Sequence, residues 1–160
     1  MIKILFICHG NICRSPMCES IMTHLITQTH HTLQFLIASA ATSREEIGNP
    51  PHYGTVKKLT EAGVPIVPHR AVQMKRSDYE NYDYLIGMDT ENIRNIKRIT
   101  GGDREHKIYR LLDFLPGNQS RDIADPWYTG DFDATYTDVV EGCRALLSFL
   151  TETSLKEEGK

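Results

Sequence analysis

The apolar positions of this chain fall into short blocks of two kinds, and the kinds alternate. "IKILFIC" (2–8) is nearly continuous, a pattern that suits a strand buried on both faces of a parallel sheet. In "MCESIMTHLITQ" the apolar residues Met17, Ile21, Met22, Leu25 and Ile26 step at helical spacing. Ser15 is a good N-cap and Pro16 a good first helical residue for that segment. A second strand is expected over "TLQFLIASAA" (32–41), and a turn-rich loop follows through "TSREEIGNPPHYG". "HYGTVKKLTEAG" reads as a helix ending at Gly63. A third strand, "YDYLIGM" (82–88), leads into a helix, "DTENIRNIKRIT", with Asp89 at its N-cap. A fourth strand is predicted over 107–114, a Pro- and Gly-rich loop over 115–131, and a last helix over 132–150. Residues 151–160 read as a frayed tail, which leaves 1–150 as one domain. Strands alternating with helices predict an α/β fold: a parallel sheet with helices on both faces.

Composition narrows the class. The chain has 160 residues, 40% apolar and 24% charged, with a formal net charge of −3. No basic footprint for nucleic acid is present, and no apolar run approaches the roughly 20 residues of a membrane span. The N-terminus lacks the cleavage site of a signal peptide, so a cytoplasmic protein is expected. Its four cysteines, Cys8, Cys13, Cys18 and Cys143, lack the spacing of a zinc knuckle. Reduced and reactive thiols are the reading that remains, with Cys18 and Cys143 assigned to the core.

The chemistry is concentrated in "CHGNICRSP" (8–16), where a strand end, a tight loop and a helix start follow one another. Such a turn binds anions, because loop N–H groups point inward and the helix dipole favours negative charge. Gly10 permits close backbone approach, and Asn11 tolerates the left-handed conformation. Arg14 adds a planar fork matched to phosphate oxygens. These groups, with Ser15 as a hydrogen-bond donor, all favour a Cys8 thiolate. The loop therefore makes a nucleophile and binds its electrophile with the same groups, the arrangement that phosphoryl transfer needs. A departing oxyanion also needs an acid. Asp125, in "ADPWY", precedes a Pro that fixes the backbone and two aromatics; on residues alone it is either that acid or the start of a turn.

"ICHGNICRSPMCES" at the N-terminus resembles the low-molecular-weight protein tyrosine phosphatases. So, in family order, do "SAATSREEIGNPPHYG" (39–54), "YDYLIGMDTENIR" (82–94) and "DIADPWYTGDFDATY" (122–136). The resemblance implies a four-stranded parallel sheet and hydrolysis of phosphotyrosine monoesters through a phosphocysteine, with neither metal nor cofactor. Substrates would be phosphotyrosine proteins or small aryl phosphates, and inorganic phosphate the product. Cys8 would be nucleophile, Arg14 the phosphate ligand and Asp125 acid and then base. His9, Gly10, Asn11, Ile12, Cys13 and Ser15 would form the phosphate loop, with Trp127 and Tyr128 flanking the substrate ring. Ser39 and His69 match positions that hydrogen-bond Asn11, and Asp89 an acid that orders the same region. Cys13 would guard Cys8 by forming a reversible disulfide after oxidation.

Three positions depart from relatives: Trp127 replaces a phosphorylatable residue, Glu45 stands where an aromatic wall is common, and His9 replaces an apolar residue. Glu45 reads as part of a solvated charge run, and His9 as facing solvent or favouring the thiolate. Two other activities share this loop. A thiol-dependent arsenate reductase would need cysteines after the third strand, and "MDTENIRNIKRITGG" has none. A protein-arginine phosphatase resembles "GNTCRS", with Thr where this chain has Ile12, a residue suited to a flat ring.

Overall fold

In a computed structural model, residues 1–158 are described. Four strands form one parallel sheet in the order β2-β1-β3-β4: β1 (Ile2–Cys8), β2 (Phe35–Ala41), β3 (Tyr84–Gly87) and β4 (Ile108–Arg110). Among the described residues six α-helices lie between and after them: α1 (Arg14–Gln28), α2 (Tyr53–Glu61), α3 (Asp78–Asn81), α4 (Thr90–Thr100), α5 (Pro126–Thr129) and α6 (Phe132–Glu158).

β1 is central, and its alternation divides the interior. Ile4, Phe6 and Cys8 pack with Met17, Cys18, Ile21 and Met22 of α1 and with Val139, Cys143 and Leu146 of α6. Leu5 and Ile7 face the other way, toward Met74, Leu85 and Ile96 of the α4 layer. Each of these fully buried aliphatic or aromatic side chains stabilises the fold by about 1.5–3 kcal/mol relative to exposure. The parity also fixes the chemistry: an even position at the carboxyl end of β1 places Cys8 on the α1 side, directly before that helix begins.

Element boundaries differ from the sequence reading where side chains found better partners. Helix α1 starts at Arg14 with Cys13 at the N-cap and no side-chain cap, so Ser15 is not the cap; its hydroxyl is committed to Asn11 and Cys8. The second strand begins only at Phe35, after a 3₁₀ turn at Thr32–Gln34. The fourth ends at Arg110. Asp113 folds back to accept from the Arg110 N–H (2.9 Å), closing a 3₁₀ turn at Leu111–Phe114. Leu111 and Leu112 are consecutive and both fully buried in the same cluster, which a strand would forbid. The short helices α3 and α5 were not anticipated. Residues from 151, expected to fray, continue α6 to Glu158; the last two residues of that expected tail lie outside the described ones. Among the described residues no helix is long and apolar enough to cross a membrane.

Candidate active site

The loop between β1 and α1 is held in shape from behind by its own asparagine. Asn11 is completely buried, at φ +58°, the left-handed region that Asn tolerates better than most residues. Its Nδ2 donates to Ser15 Oγ (2.8 Å) and Ser39 Oγ (3.0 Å). Its Oδ1 accepts from the Val72 N–H (3.1 Å) and from His69 Nε2 (2.6 Å). An acceptor at 2.6 Å assigns the His69 proton to Nε2. The loop carbonyls are tied down as well: Ile12 accepts from the His52 N–H (2.7 Å) and Cys13 from Thr55 Oγ1 (3.1 Å).

This framework brings a backbone N–H and a hydroxyl against one sulfur. The Asn11 N–H lies 3.3 Å from Cys8 Sγ and Ser15 Oγ 3.0 Å from it. Ser15 Oγ accepts from Asn11 Nδ2 and shares one hydrogen bond with Cys8 Sγ in which either atom can donate, and the Ala40 carbonyl lies 3.5 Å from the same hydroxyl. Arg14 is only 2% exposed yet carries a full charge. Its Nη1 donates to Asp89 Oδ2 (2.6 Å) and the Ile123 carbonyl (2.8 Å), and its Nη2 to Asp125 Oδ2 (3.4 Å). Burial works against its charge, but Cys8, Asp89 and Asp125 outweigh that and raise its pKa further. Asp89 also serves a helix: its Oδ1 accepts from the Asn92 N–H (2.7 Å), capping α4, so one carboxylate joins a helix start to the guanidinium.

Above the loop is a pocket enclosing about 90 Å³, lined by Cys8, His9, Gly10, Ile12, Cys13, Glu45, Glu46, Asp125, Trp127 and Tyr128. Asp125 caps α5 by accepting from the Trp127 N–H through Oδ1 (3.0 Å). Trp127 and Tyr128 are 57% and 81% exposed and form a rim rather than packed core. Trp127 meets His52 edge-on, and His52 stacks on Phe132. The candidate site residues singled out in the sequence thus converge: eight line the pocket, Arg14, Asn11 and Ser15 lie beneath it, Ser39 and His69 hold Asn11, and Asp89 holds Arg14.

The acidic pair opposite is not a free charge run. Glu45 Oε2 lies 3.0 Å from His9 Nε2 and, with Glu46, forms one wall. Nor does His9 simply face solvent. Cys13 is buried, and its pKa is pushed up to about 12, first by desolvation and then by the negative charge of Cys8. All four cysteines are free thiols.

Sequence reasoning missed two contributors. Glu19 is buried on α1, accepts from Ser39 Oγ at 2.6 Å and stands 3.7 Å from His69 Nδ1. Burial raises its pKa against the opposing Ser39 hydrogen bond, and burial lowers that of His69, so both shifts favour neutral groups. The i, i+4 spacing of Ser15 and Glu19 on one helix face was the available signal. The Ile123 carbonyl had none, since any residue supplies one.

The loop brings a thiol, a buried guanidinium and a carboxyl group together in a four-stranded α/β fold, and comparisons with known proteins assign that fold to a family. The model of the low molecular weight phosphotyrosine protein phosphatase family matches residues 3–160. The chain is 38% identical to the low molecular weight protein-tyrosine-phosphatase YfkJ of Bacillus subtilis, over 92% of this chain and 95% of that one. It is 38% identical to the low molecular weight phosphotyrosine protein phosphatase of Pongo abelii, over 91% and 93%. The crystal structure of YfkJ superposes with a TM-score of 0.92 at 37% identity, covering 96% of each chain. The chain belongs to the low molecular weight phosphotyrosine protein phosphatase family.

Proposed function

We propose that this protein hydrolyses phosphotyrosine monoesters, on proteins or small aryl phosphates, in two steps and without a metal or cofactor. The observation that carries the reading is the convergence on Cys8 Sγ of the Asn11 N–H and the Ser15 hydroxyl, with Arg14 and Asp125 beside it. Arg14 and the loop N–H groups hold the phosphoryl oxygens. Cys8 Sγ attacks phosphorus; the S–P bond forms as the P–O bond to the tyrosyl oxygen breaks, and its electron pair leaves with that oxygen. Asp125 gives the oxygen its proton through Oδ2, since Oδ1 is tied to the Trp127 N–H. Asp125, now a carboxylate, takes a proton from water as the water attacks phosphorus. The S–P bond breaks, and inorganic phosphate and the thiolate are released.

Trp127, Tyr128 and Ile12 suit the flat tyrosyl ring, and Ile12 in particular favours phosphotyrosine over phosphoarginine. Asn11 shapes the loop, with Ser39 and His69 holding it, while Asp89 orients Arg14. Cys13 guards Cys8 by resolving a sulfenate to a disulfide. The proposed place of action is the cytoplasm, with neither nucleic acid nor membrane as a partner. Turnover of phosphotyrosine, phosphoserine and phosphoarginine peptides tests this with wild type, Cys8→Ser and Asp125→Ala. Cys8→Ser is expected to be inactive, and Asp125→Ala to lose about 10²–10⁴-fold on phosphotyrosine. An active Cys8→Ser enzyme, or preference for phosphoarginine, would overturn it.

A further inference from the structure

The segment that carries Asp125 is fastened to the sheet by residues that do not line the pocket. Arg110, the last residue of β4, sits beside Gly87 of β3 in the sheet register. Its guanidinium uses all three nitrogens. Nε donates to Asp113 Oδ1 (3.1 Å), Nη1 to Asp122 Oδ1 (2.9 Å) and Nη2 to Ser120 Oγ (2.8 Å). Ser120 in turn donates to Asp113 Oδ1. Asp122 Oδ1 also accepts from the N–H and the hydroxyl of Thr90, each at 2.9 Å. An isolated exposed ion pair is worth little, but a planar fork with several simultaneous partners fixes geometry.

Two links connect this clamp to the chemistry. Thr90 is the chain neighbour of Asp89, whose carboxylate holds Arg14. Ile123, the neighbour of Asp122, donates its N–H to the Met88 carbonyl (2.9 Å) and accepts from Arg14 Nη1 (2.8 Å). The first turn of α4 therefore registers both the guanidinium and the strand of loop that ends in Asp125. Asp125 is three residues beyond Asp122, and its own side chain is held only by the Trp127 N–H and the longer contact to Arg14.

We propose that Arg110 and Asp122 are positioning residues for the general acid: their ion pair, shared with Thr90, sets where the Asp125 carboxyl meets the leaving oxygen. The inference rests on Asp125 being the acid. A misplacement of order 1 Å suffices to cost up to about 10²-fold in a proton transfer. Binding of the phosphoryl group, which depends on the loop and Arg14, would be little changed. kcat/KM is the informative quantity, because it covers only the steps through departure of the leaving group.

The experiment compares wild type, Asp122→Asn, Arg110→Gln and Asp125→Ala on p-nitrophenyl phosphate, a good leaving group, and on phosphotyrosine, whose phenol has a pKa of about 10. The inhibition constant for inorganic phosphate and the urea midpoint are measured alongside. For Asp122→Asn and Arg110→Gln, kcat/KM is expected to fall about tenfold on phosphotyrosine and less than about twofold on p-nitrophenyl phosphate, with the phosphate constant unchanged within about twofold. Added to Asp125→Ala, neither change should steepen the leaving-group dependence further. Equal losses on both substrates, a weakened phosphate constant, or full additivity with Asp125→Ala would overturn the proposal. If Asp125→Ala itself shows no leaving-group dependence, the acid assignment fails and the proposal falls with it, an outcome distinct from a failure of the clamp alone. Should Arg110→Gln not fold, Asp122→Asn, which keeps an acceptor for Thr90, decides alone.

Discussion

Replacing Asn11 by alanine removes a carboxamide that makes four hydrogen bonds in a site closed to solvent. The four are unequal in consequence. Ser15 and Ser39 lose a donor but keep other partners, since Ser15 still meets Cys8 and Ser39 still donates to Glu19. The His69 Nε2–H keeps Ser39 Oγ at 3.3 Å as an acceptor, but the Val72 N–H is orphaned, and an unsatisfied buried donor costs about 1–3 kcal/mol. Alanine must also hold φ near +58°, which adds about 1–2 kcal/mol for an L-residue with a Cβ. The sum is about 2–5 kcal/mol, a large share of the roughly 5–15 kcal/mol that stabilises a domain. Asn11→Gly leaves the same N–H orphaned without the conformational penalty and should recover about 1 kcal/mol. Urea unfolding followed by circular dichroism, with the midpoint compared at equal m-value, measures both. Binding of inorganic phosphate should weaken in each, because the loop loses its internal brace. An alanine variant within about 1 kcal/mol of wild type, or a glycine variant less stable than it, would refute the assignment of Asn11 as the keystone of the loop.

Three further outcomes follow from single residues. With the Cys13 thiol pushed up to about 12, its thiolate fraction rises tenfold per pH unit below that value. The rate at which a peroxide-generated Cys8 sulfenate closes to a disulfide should therefore rise with the same slope between about pH 6 and 9; thiol mass mapping that finds a flat profile would contradict it. For Glu19, burial raises the folded-state pKa above 4.5, so its contribution to stability is fully present below that pH and is lost as pH rises through the folded value. Glu19→Gln should accordingly gain stability relative to wild type as pH rises from 4.5, and parallel stability–pH curves would count against it. Gly142→Ala would place a Cβ 2.5 Å from Leu111 Cγ, so despite better helix propensity it should lose about 1–2 kcal/mol and several degrees in Tm; a raised Tm in calorimetry would show that Leu111 simply moves aside.

How much could be read from the chain depended on whether information was local. The strand, loop and helix start over 2–16 are contiguous, and their residue types each have a conformational reason to be there, so loop and thiol were visible at once. The fold class followed from alternating periodicities. What failed was local in appearance but tertiary in cause. Ser15 has the chemistry of a helix cap, yet its hydroxyl is drawn to Cys8 and Asn11. "RLLDF" has the composition of a strand, yet Leu111 and Leu112 are both required in one apolar layer. Glu45 is exposed, as a solvated charge would be, but nothing in its neighbourhood announces its contact with His9, 36 positions earlier. The supporting shell was hidden most completely, since Glu19, the Ile123 carbonyl and the Arg110–Asp122 pair acquire meaning only after the chain has closed on itself.

The contact between Arg14 and Asp125 joins positions 111 residues apart. A growing chain therefore holds its thiol loop long before it can own the carboxyl group opposite, and the enclosing α6 comes later still. Fragments ending short of Asp125 would carry an intact phosphate-loop sequence and no complete machinery for turnover. Activity then becomes a clock for the last stage of assembly: the first turnover of a refolding or nascent chain marks the moment its two ends have found each other.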